Sequence, residues 1–520
     1  MDGSCYTCLR RRIECEMSEP PCKKCKKAGI ECFQKRPFRW VQGAAFRGKK
    51  KAASAKATSF APTASAKLSR TPTRTGEACP EDKNCSEPIL VSCNSDNGRL
   101  DYLGDTVPLP LDDPCSSSLD KVSKYYLYYY SKCVCKLFIM YDSNRNPLRK
   151  LIPAALDNSV LLASIVALSA RHMANGDQSF YEAGTPTFPG LTDAHHNALW
   201  FKHKAIKELS EALNDEAFYK QDTIIASAFL LIFLDLLELG SDKWNFHLEG
   251  VKSLINQIQS PAGSQAGPQQ DLGDTIQGIR DFIIRQVYLI DTLGTTYTRP
   301  RLLSKSAALR QSLTPLQMSV DKSYLGCPEY LLDTLRSFAL CRDCLASSEP
   351  LDDATIYSYT YEIMTFLDST QAFDCQAWAT GLSLPHSKAD RHMLSILAES
   401  YKVGTLIYGR RVLSALTGDT TSLDGLVQEL ISSIDTMRSD EALFKCILWP
   451  MFVAGLESRQ QDQRDFVICC LEKFWFETKC INVVNGANLL KKFWKEDSRE
   501  GSSSQWIFSI GQLGRDWLLI

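Results

Sequence analysis

The chain has 520 residues, of which 44% are hydrophobic and 23% charged, with a formal net charge of −1. That length exceeds one small domain at about 100–200 residues each, and the composition is that of an ordinary soluble protein. The N-terminus has no apolar stretch long enough for a secretory signal.

The net charge hides a division. Residues 1–76 carry 18 Lys or Arg and 5 Asp or Glu, a balance of +13 that leaves −14 for the remainder. A basic end on an acidic body suggests a polyanionic partner for the basic end. Six of the 20 cysteines fall within residues 5–32, "CYTCLRRRIECEMSEPPCKKCKKAGIEC": Cys5, Cys8, Cys15, Cys22, Cys25 and Cys32. Their spacing, C-x2-C-x6-C-x6-C-x2-C-x6-C, is a duplicated pattern. A C-x2-C pair lets two thiolates chelate one zinc at a tight turn, and zinc takes four ligands. Two zincs need eight ligand positions, so six sulfurs suffice if two of them bridge. No histidine precedes His172 to make up the difference. One four-cysteine zinc with two spare thiols competes with this reading, as does a disulfide framework. The repeat uses all six cysteines, and a reducing compartment disfavours disulfides. The stretch has too few apolar residues for a core, so metal must supply folding energy, roughly 10–16 kcal/mol per structural site.

With these spacings, Arg10, Arg11 and Arg12 after the second cysteine, and Pro20 before the fourth, the stretch resembles the fungal Zn2Cys6 binuclear-cluster DNA-binding domain. The resemblance implies two Zn²⁺ per chain, bridging roles for Cys5 and Cys22, and a short helix after each C-x2-C pair. It also implies that the end of the first helix enters the major groove over a CGG triplet, with Arg11 and Arg12 reading bases. Arginine makes bidentate hydrogen bonds to guanine O6 and N7, which suits that role. Lys23, Lys24, Lys26 and Lys27 suit phosphate neutralisation, which gives affinity without sequence information. The chain departs from the family in having Leu9 and Glu14 where basic residues are usual, so two expected phosphate contacts are missing.

Residues 35–51, "KRPFRWVQGAAFRGKKK", contain no acid and intersperse Phe38, Trp40 and Phe46 among the basic residues. They resemble a basic extension found in one branch of this family. Arg39, Arg47 and Lys49 are its candidate DNA contacts, and Arg47 to Lys51 suit a nuclear import signal. Residues 52–118 read as a disordered linker, Ala/Ser/Thr/Pro-rich and then acidic, with almost no large apolar residues in the first part. No heptad repeat of apolar residues lies between Cys32 and Asp120, so a coiled coil there is not expected, and any dimer would form through the C-terminal domain.

From about 119, apolar residues recur at helical spacing, as in "LLASIVALSARHMA", "LWFKHKAIKELSEAL", "WNFHLEGVKSLINQI" and "DFVICCLEKFWFE". About a dozen helices are expected, with a loop over 261–274 and no convincing strand. The most apolar run, "IIASAFLLIFL" (224–234), lies between Asp222 and Asp235. It is too short for a bilayer at about 20 residues and reads as a buried core helix. "CRDC" (Cys341 to Cys344) has redox-motif spacing, but reads as two cysteines on one helix turn. His195, His196 and His203 cluster in sequence without a carboxylate ligand pattern.

Residues 142–174, "FKHKAIKELSEAL", "WNFHLEGVKSLI" and "LWPMFVAGLE" (448–457) resemble the helical regulatory domain that accompanies Zn2Cys6 clusters in fungal transcription factors. The expected organisation is a Zn2Cys6 domain over 1–36 with two short helices around two zincs. A basic extension (37–51), a disordered linker (52–118) and a large all-α regulatory domain (119–520) follow. The expected role is a nuclear, sequence-specific transcription factor for RNA polymerase II genes. It would read double-stranded DNA at CGG-like sites and meet the transcription machinery or co-regulators through the helical domain. By resemblance it is more an activator than a repressor, and proteins of its branch often control metabolic gene clusters. A zinc module that binds protein instead of DNA is the alternative. No phosphate-loop, nucleophile-elbow or HExxH motif points to an enzyme, and no membrane partner is expected.

Overall fold

The computed structural model describes residues 119–520 with breaks at 177, 182, 184–192, 215–221, 260–273, 299–324, 347–351, 383–387, 420, 501–504 and 513–515. Near the N-terminus it describes residues 5, 7, 8, 11, 13, 15, 21–28 and 32. The linker 52–118 and the basic extension lie outside the described residues.

One short helix, α1 (Lys23–Ala28), belongs to the cysteine-rich stretch. The C-terminal part is helical throughout its described residues, whose one β-type feature is an isolated bridge between Ser241 and Trp517. It opens with α2 (Lys121–Tyr129), which runs directly into a π-helical turn, Tyr130–Val134. Then come α3 (Leu151–Leu156), α4 (Ser159–Gly176), α5 (Asp193–Ala212), α6 (Asp222–Glu238), α7 (Lys243–Gln259) and α8 (Asp274–Thr295). The second half holds α9 (Glu329–Leu345), α10 (Asp353–Ala372), α11 (Cys375–Gly381), α12 (Lys388–Thr417) and α13 (Asp424–Met437). It ends with α14 (Glu441–Phe444), α15 (Leu448–Glu457), α16 (Gln461–Thr478), α17 (Ile481–Glu500) and α18 (Trp506–Gln512). That is more than the dozen expected, because helices as short as α3, α11, α14 and α18 span too few turns to show a period. Asp274, expected in a loop, already opens α8.

Local chemistry starts many of these helices. Asp120 accepts from the amides of Val122 and Ser123, both at 2.9 Å. Asp352, Asp374 and Asp440 cap α10, α11 and α14 in the same way, and Asn158 accepts from Leu161 N at 2.9 Å. A short oxygen-bearing side chain at this position satisfies an amide that the helix leaves unpaired. Lys479 ends α16 in the left-handed region at φ 53°.

Two helices organise the packing. α6 is buried at every position from Ile224 to Leu237, as expected of a helix apolar on all sides. α4 and α7 flank it, α5 covers α4, and α17 also reaches it. In the second half, α9, α10, α11, α13 and α15 pack around α12. Gly404 and Gly409 make this close approach possible. A Cβ at these positions would stand 2.7 Å from the Trp449 ring and 2.5 Å from the Phe338 ring, respectively.

Buried ion pairs join the helices. At the C-terminal end of α6, Asp235 pairs with Lys202 of α5 at 3.5 Å, and the neutral imidazole of His247 of α7 stands 3.3 Å from the same carboxylate. Glu238 meets Lys202 and lies 3.2 Å from Arg171 of α4. Burial pushes Asp235 up to about 6 against the pull of Lys202, and pushes His247 down to about 3, helped by Lys202. Asp291 of α8 takes Lys252 of α7 at 3.1 Å and Arg336 of α9 at 2.8 Å. Arg342, fully buried on α9, donates to the carbonyls of Thr295 and Thr296 at the end of α8. Arg411 of α12 grips Glu457 of α15 through two hydrogen bonds of 2.6 and 2.5 Å, and Trp506 Nε1 of α18 donates to the same carboxylate at 2.6 Å.

Two expectations follow. Removing one partner of a buried ion pair strands the other charge, so Glu457→Ala should destabilise the chain by about 3–5 kcal/mol. Arg411→Met with Glu457→Leu should restore much of that loss, as read by urea unfolding. The second concerns acid. Burial, then Lys479 and Lys136, hold His172 down at about 4. An unfolded histidine titrates near ~6.5, so between those values the unfolded chain binds the extra proton, and stability is lost as the pH is lowered from about 6.5 towards 4. Across this window His172→Gln should flatten the dependence of unfolding free energy on pH by about 1.4 kcal/mol per pH unit. Urea midpoints measured from pH 7 to pH 4 check it, and an unchanged slope would contradict the assignment.

Candidate metal centre and nucleic-acid interface

Each C-x2-C pair enters a helical turn. Residues 7 and 8 are helical, and Arg11 N and Ile13 N both donate to the Cys8 carbonyl, at 3.0 and 3.1 Å. The second pair straddles the start of α1, where Lys26 N donates to the Cys22 carbonyl at 3.0 Å. The turns aim both members of each pair inward. Cys5, Cys8, Cys22 and Cys25 are buried, and Cys15 and Cys32 are half-buried against them.

The sulfurs form two groups of four. Cys5, Cys8, Cys15 and Cys22 make one, and Cys5, Cys22, Cys25 and Cys32 the other, with all sulfurs of a group within 4.8 Å of one another. Cys5 and Cys22 belong to both. Cys5 Sγ lies 3.7 Å from Cys22 Sγ and 3.8 Å from Cys25 Sγ, and Cys8 Sγ lies 3.7 Å from both Cys22 and Cys25. Tetrahedral zinc with Zn–S bonds of about 2.3 Å sets its sulfurs roughly 3.8 Å apart, so the spacing fits the ion.

Backbone amides support the sulfurs. Cys8 N donates to Cys5 Sγ, Cys25 N to Cys22 Sγ, Cys5 N to Cys15 Sγ and Cys22 N to Cys32 Sγ, at 3.3–3.4 Å. The amide of Cys25 is the main influence that brings Cys22 down to about 6. Burial pushes Cys8 up to about 12 and raises Cys25 as well. Crowded thiols of this kind ionise together only around a cation, and a divalent metal supplies that charge. These cysteines could therefore hold metal ions. His196 and His203 lie exposed on α5 and belong to neither group, and His195 stands 3.4 Å from Arg171 instead.

Lys23, Lys24, Lys26 and Lys27 of α1 are all exposed, as is Arg11 beside the first pair. A positive surface thus borders the sulfur cluster. Arg10, Arg12, Arg39, Arg47 and Lys49 lie outside the described residues. Cys341 and Cys344 lie one turn apart on α9, the first buried. Among the described residues no helix is long and apolar enough to cross a membrane.

One feature of the helical part had no sequence signal. A groove of about 510 Å³ lies along α16 and α17, with Arg464, Cys469 and Glu472 on one helix and Lys491, Trp494 and Lys495 on the other. Tyr181 completes it from far away in the chain.

Two characterised proteins are similar to this chain. The acriflavine sensitivity control protein of Neurospora crassa is 22% identical over 375 residues, covering 71% of this chain and 60% of that protein. The phomenoic acid biosynthesis cluster-specific transcriptional regulator of Leptosphaeria maculans is 21% identical over 514 residues, covering 94% of this chain and 85% of that protein. No solved structure matches the chain. The profile described as a fungal specific transcription factor domain matches residues 125–520, starting at α2 and reaching past α18. That match spans most of the chain, which belongs to the family of proteins built on the fungal-specific transcription factor domain.

Proposed function

We propose that this chain is a transcriptional regulator that binds double-stranded DNA through a two-zinc cysteine cluster and is controlled through its helical domain. The observation that carries the reading is the pair of sulfur groups sharing Cys5 and Cys22, in a chain with a fungal-specific transcription factor domain. In this reading Cys5, Cys8, Cys15 and Cys22 hold one zinc and Cys5, Cys22, Cys25 and Cys32 the other. The metal contributes folding energy to a segment that has no apolar core of its own.

Arg11 and Arg12 read guanines of a CGG-like site, with Arg10 beside them. Lys23, Lys24, Lys26 and Lys27 hold phosphates, and their exposure on α1 supports this. Arg39, Arg47 and Lys49 of the basic extension add backbone contacts, and Arg47 to Lys51 serve nuclear import. The linker 52–118 tethers these parts to the domain over 119–520, which meets the transcription machinery or co-regulators and would carry any dimer contact. Activation of a metabolic gene cluster is the output we favour. The name of the Leptosphaeria maculans relative supports the gene-cluster part.

Two tests bear on this. Cys22→Ala should lose more metal than Cys8→Ala, because Cys22 serves both groups. Metal-to-protein ratios decide, and equal loss would refute the shared role. Arg12→Ala should relax discrimination at one guanine by about 1–3 kcal/mol. Lys24→Ala should weaken all duplexes alike and make the salt slope shallower by about one. Titrations of CGG-bearing and scrambled duplexes at several salt concentrations measure both. Equal weakening of the two duplexes by Arg12→Ala would remove the base-reading role, and binding without steep salt dependence would favour a protein partner.

A further inference from the structure

We propose that the groove along α16 and α17 binds a small organic acid, holding its carboxylate among Lys491, Lys495 and Arg464 and its apolar body against Trp494 and Ile468. The proposal stands independently of the DNA-binding reading.

The first observation is charge. Lys491 and Lys495 are one turn apart and exposed at the groove, and Arg464 faces them from α16. The ion pairs within these helices are Lys473–Glu477 and Lys492–Glu496, and among the described residues none includes Arg464, Lys491 or Lys495. The two acids of the lining each accept a hydrogen bond from a neutral neighbour within it. Glu472 accepts from the Tyr181 hydroxyl at 3.3 Å, and Asp465 accepts from Gln461 Nε2 at 2.8 Å. Arg438 adds a fourth cation at the edge, donating to Cys469 Sγ at 3.2 Å. Arg464, Lys491 and Lys495 against Asp465 and Glu472 leave the lining with one positive charge in excess. Asp465 and Glu472 would repel a polyanion, so a single carboxylate suits the site better than nucleic acid.

The second observation is shape and surface. The groove is open to solvent, and its volume of about 510 Å³ is enough for a small molecule to lie along it. Trp494 forms an apolar wall. Its indole N–H is spent on the Gly455 carbonyl at 2.8 Å, and the Arg464 guanidinium lies over its ring at 5.3 Å. Arg464 is itself steadied by donating Nε to the Ser458 carbonyl at 3.0 Å. Lys491 sits 5.8 Å over the Tyr181 ring, so the rim is also set in place. A stacked guanidinium beside an aromatic wall matches a planar or aliphatic body that ends in a carboxylate.

The test uses the full-length chain and isothermal titration calorimetry. The probe is 1-naphthoate, with 1-naphthamide as its neutral counterpart. Saturable binding of one naphthoate per chain is expected, with the amide weaker by about tenfold or more, the effect of losing one charge-assisted contact. Lys491→Gln with Lys495→Gln changes only exposed positions and should weaken naphthoate by a similar factor, with helical circular dichroism unaltered. Lys492→Gln, on the same helix but outside the lining, should leave affinity unchanged. Failure of naphthoate to bind, equal binding of the amide, or full affinity in the double variant would each overturn the proposal.

Discussion

The helical domain depends on covering two central helices, α6, which is apolar on every side, and α12, whose middle is buried from Val403 to Gly409. Each therefore needs neighbours around these buried stretches. That requirement draws α4 and α7 around α6, and α9, α10, α11, α13 and α15 around α12. Burial at about 25 cal/mol per Å² of apolar surface drives this assembly without choosing a direction. Gly404 and Gly409 decide where it can be tightest, because only there do Trp449 and Phe338 reach the α12 backbone.

Register comes from the polar groups. Buried ion pairs contribute little net stability, but they are costly to mismatch. Asp235 and Glu238 collect partners from α4, α5 and α7, while Asp291 ties α7 and α9 to α8. Glu457 collects Arg411 and Trp506 and so joins α12, α15 and α18. A slide of one helix turn at any of these sites would leave a charge unpaired in the core. The groove along α16 and α17 inherits its shape from this order, since its Trp494 wall is anchored on α15 through Gly455.

The cysteine cluster follows a different logic. Among its described residues the buried ones are Cys5, Cys8, Cys22 and Cys25. Amide donors at the start of each turn hold the sulfurs in position, and a bound metal ion would relieve the crowding of their charges. The lysines of α1 point outward because Cys25, on the same short helix, points inward. One helix thus carries both candidate metal ligands and a positive surface.

The six ligand candidates were legible in sequence because chelation by C-x2-C pairs is local: the whole pattern lies within 28 consecutive residues. The all-helical character and the burial of α6 were legible because a period of 3.6 and an uninterrupted apolar run survive in one dimension. Short helices such as α11 and α14 were not, since one or two turns hold no period and depend on an Asp cap and on tertiary cover. Arg10, Arg12 and the basic extension rest on sequence and resemblance alone. The buried ion pairs were invisible, because Arg171 and Glu238 are 67 positions apart and Arg411 and Glu457 are 46 apart. The groove was more hidden still, with Tyr181 meeting Glu472 across 291 positions. Sequence by itself determined the spacing of the cysteine stretch and the helical class, since both arise between near neighbours in the chain. Only the tertiary structure decided which charges share a core and which cations share a groove, since those depend on how distant helices pack.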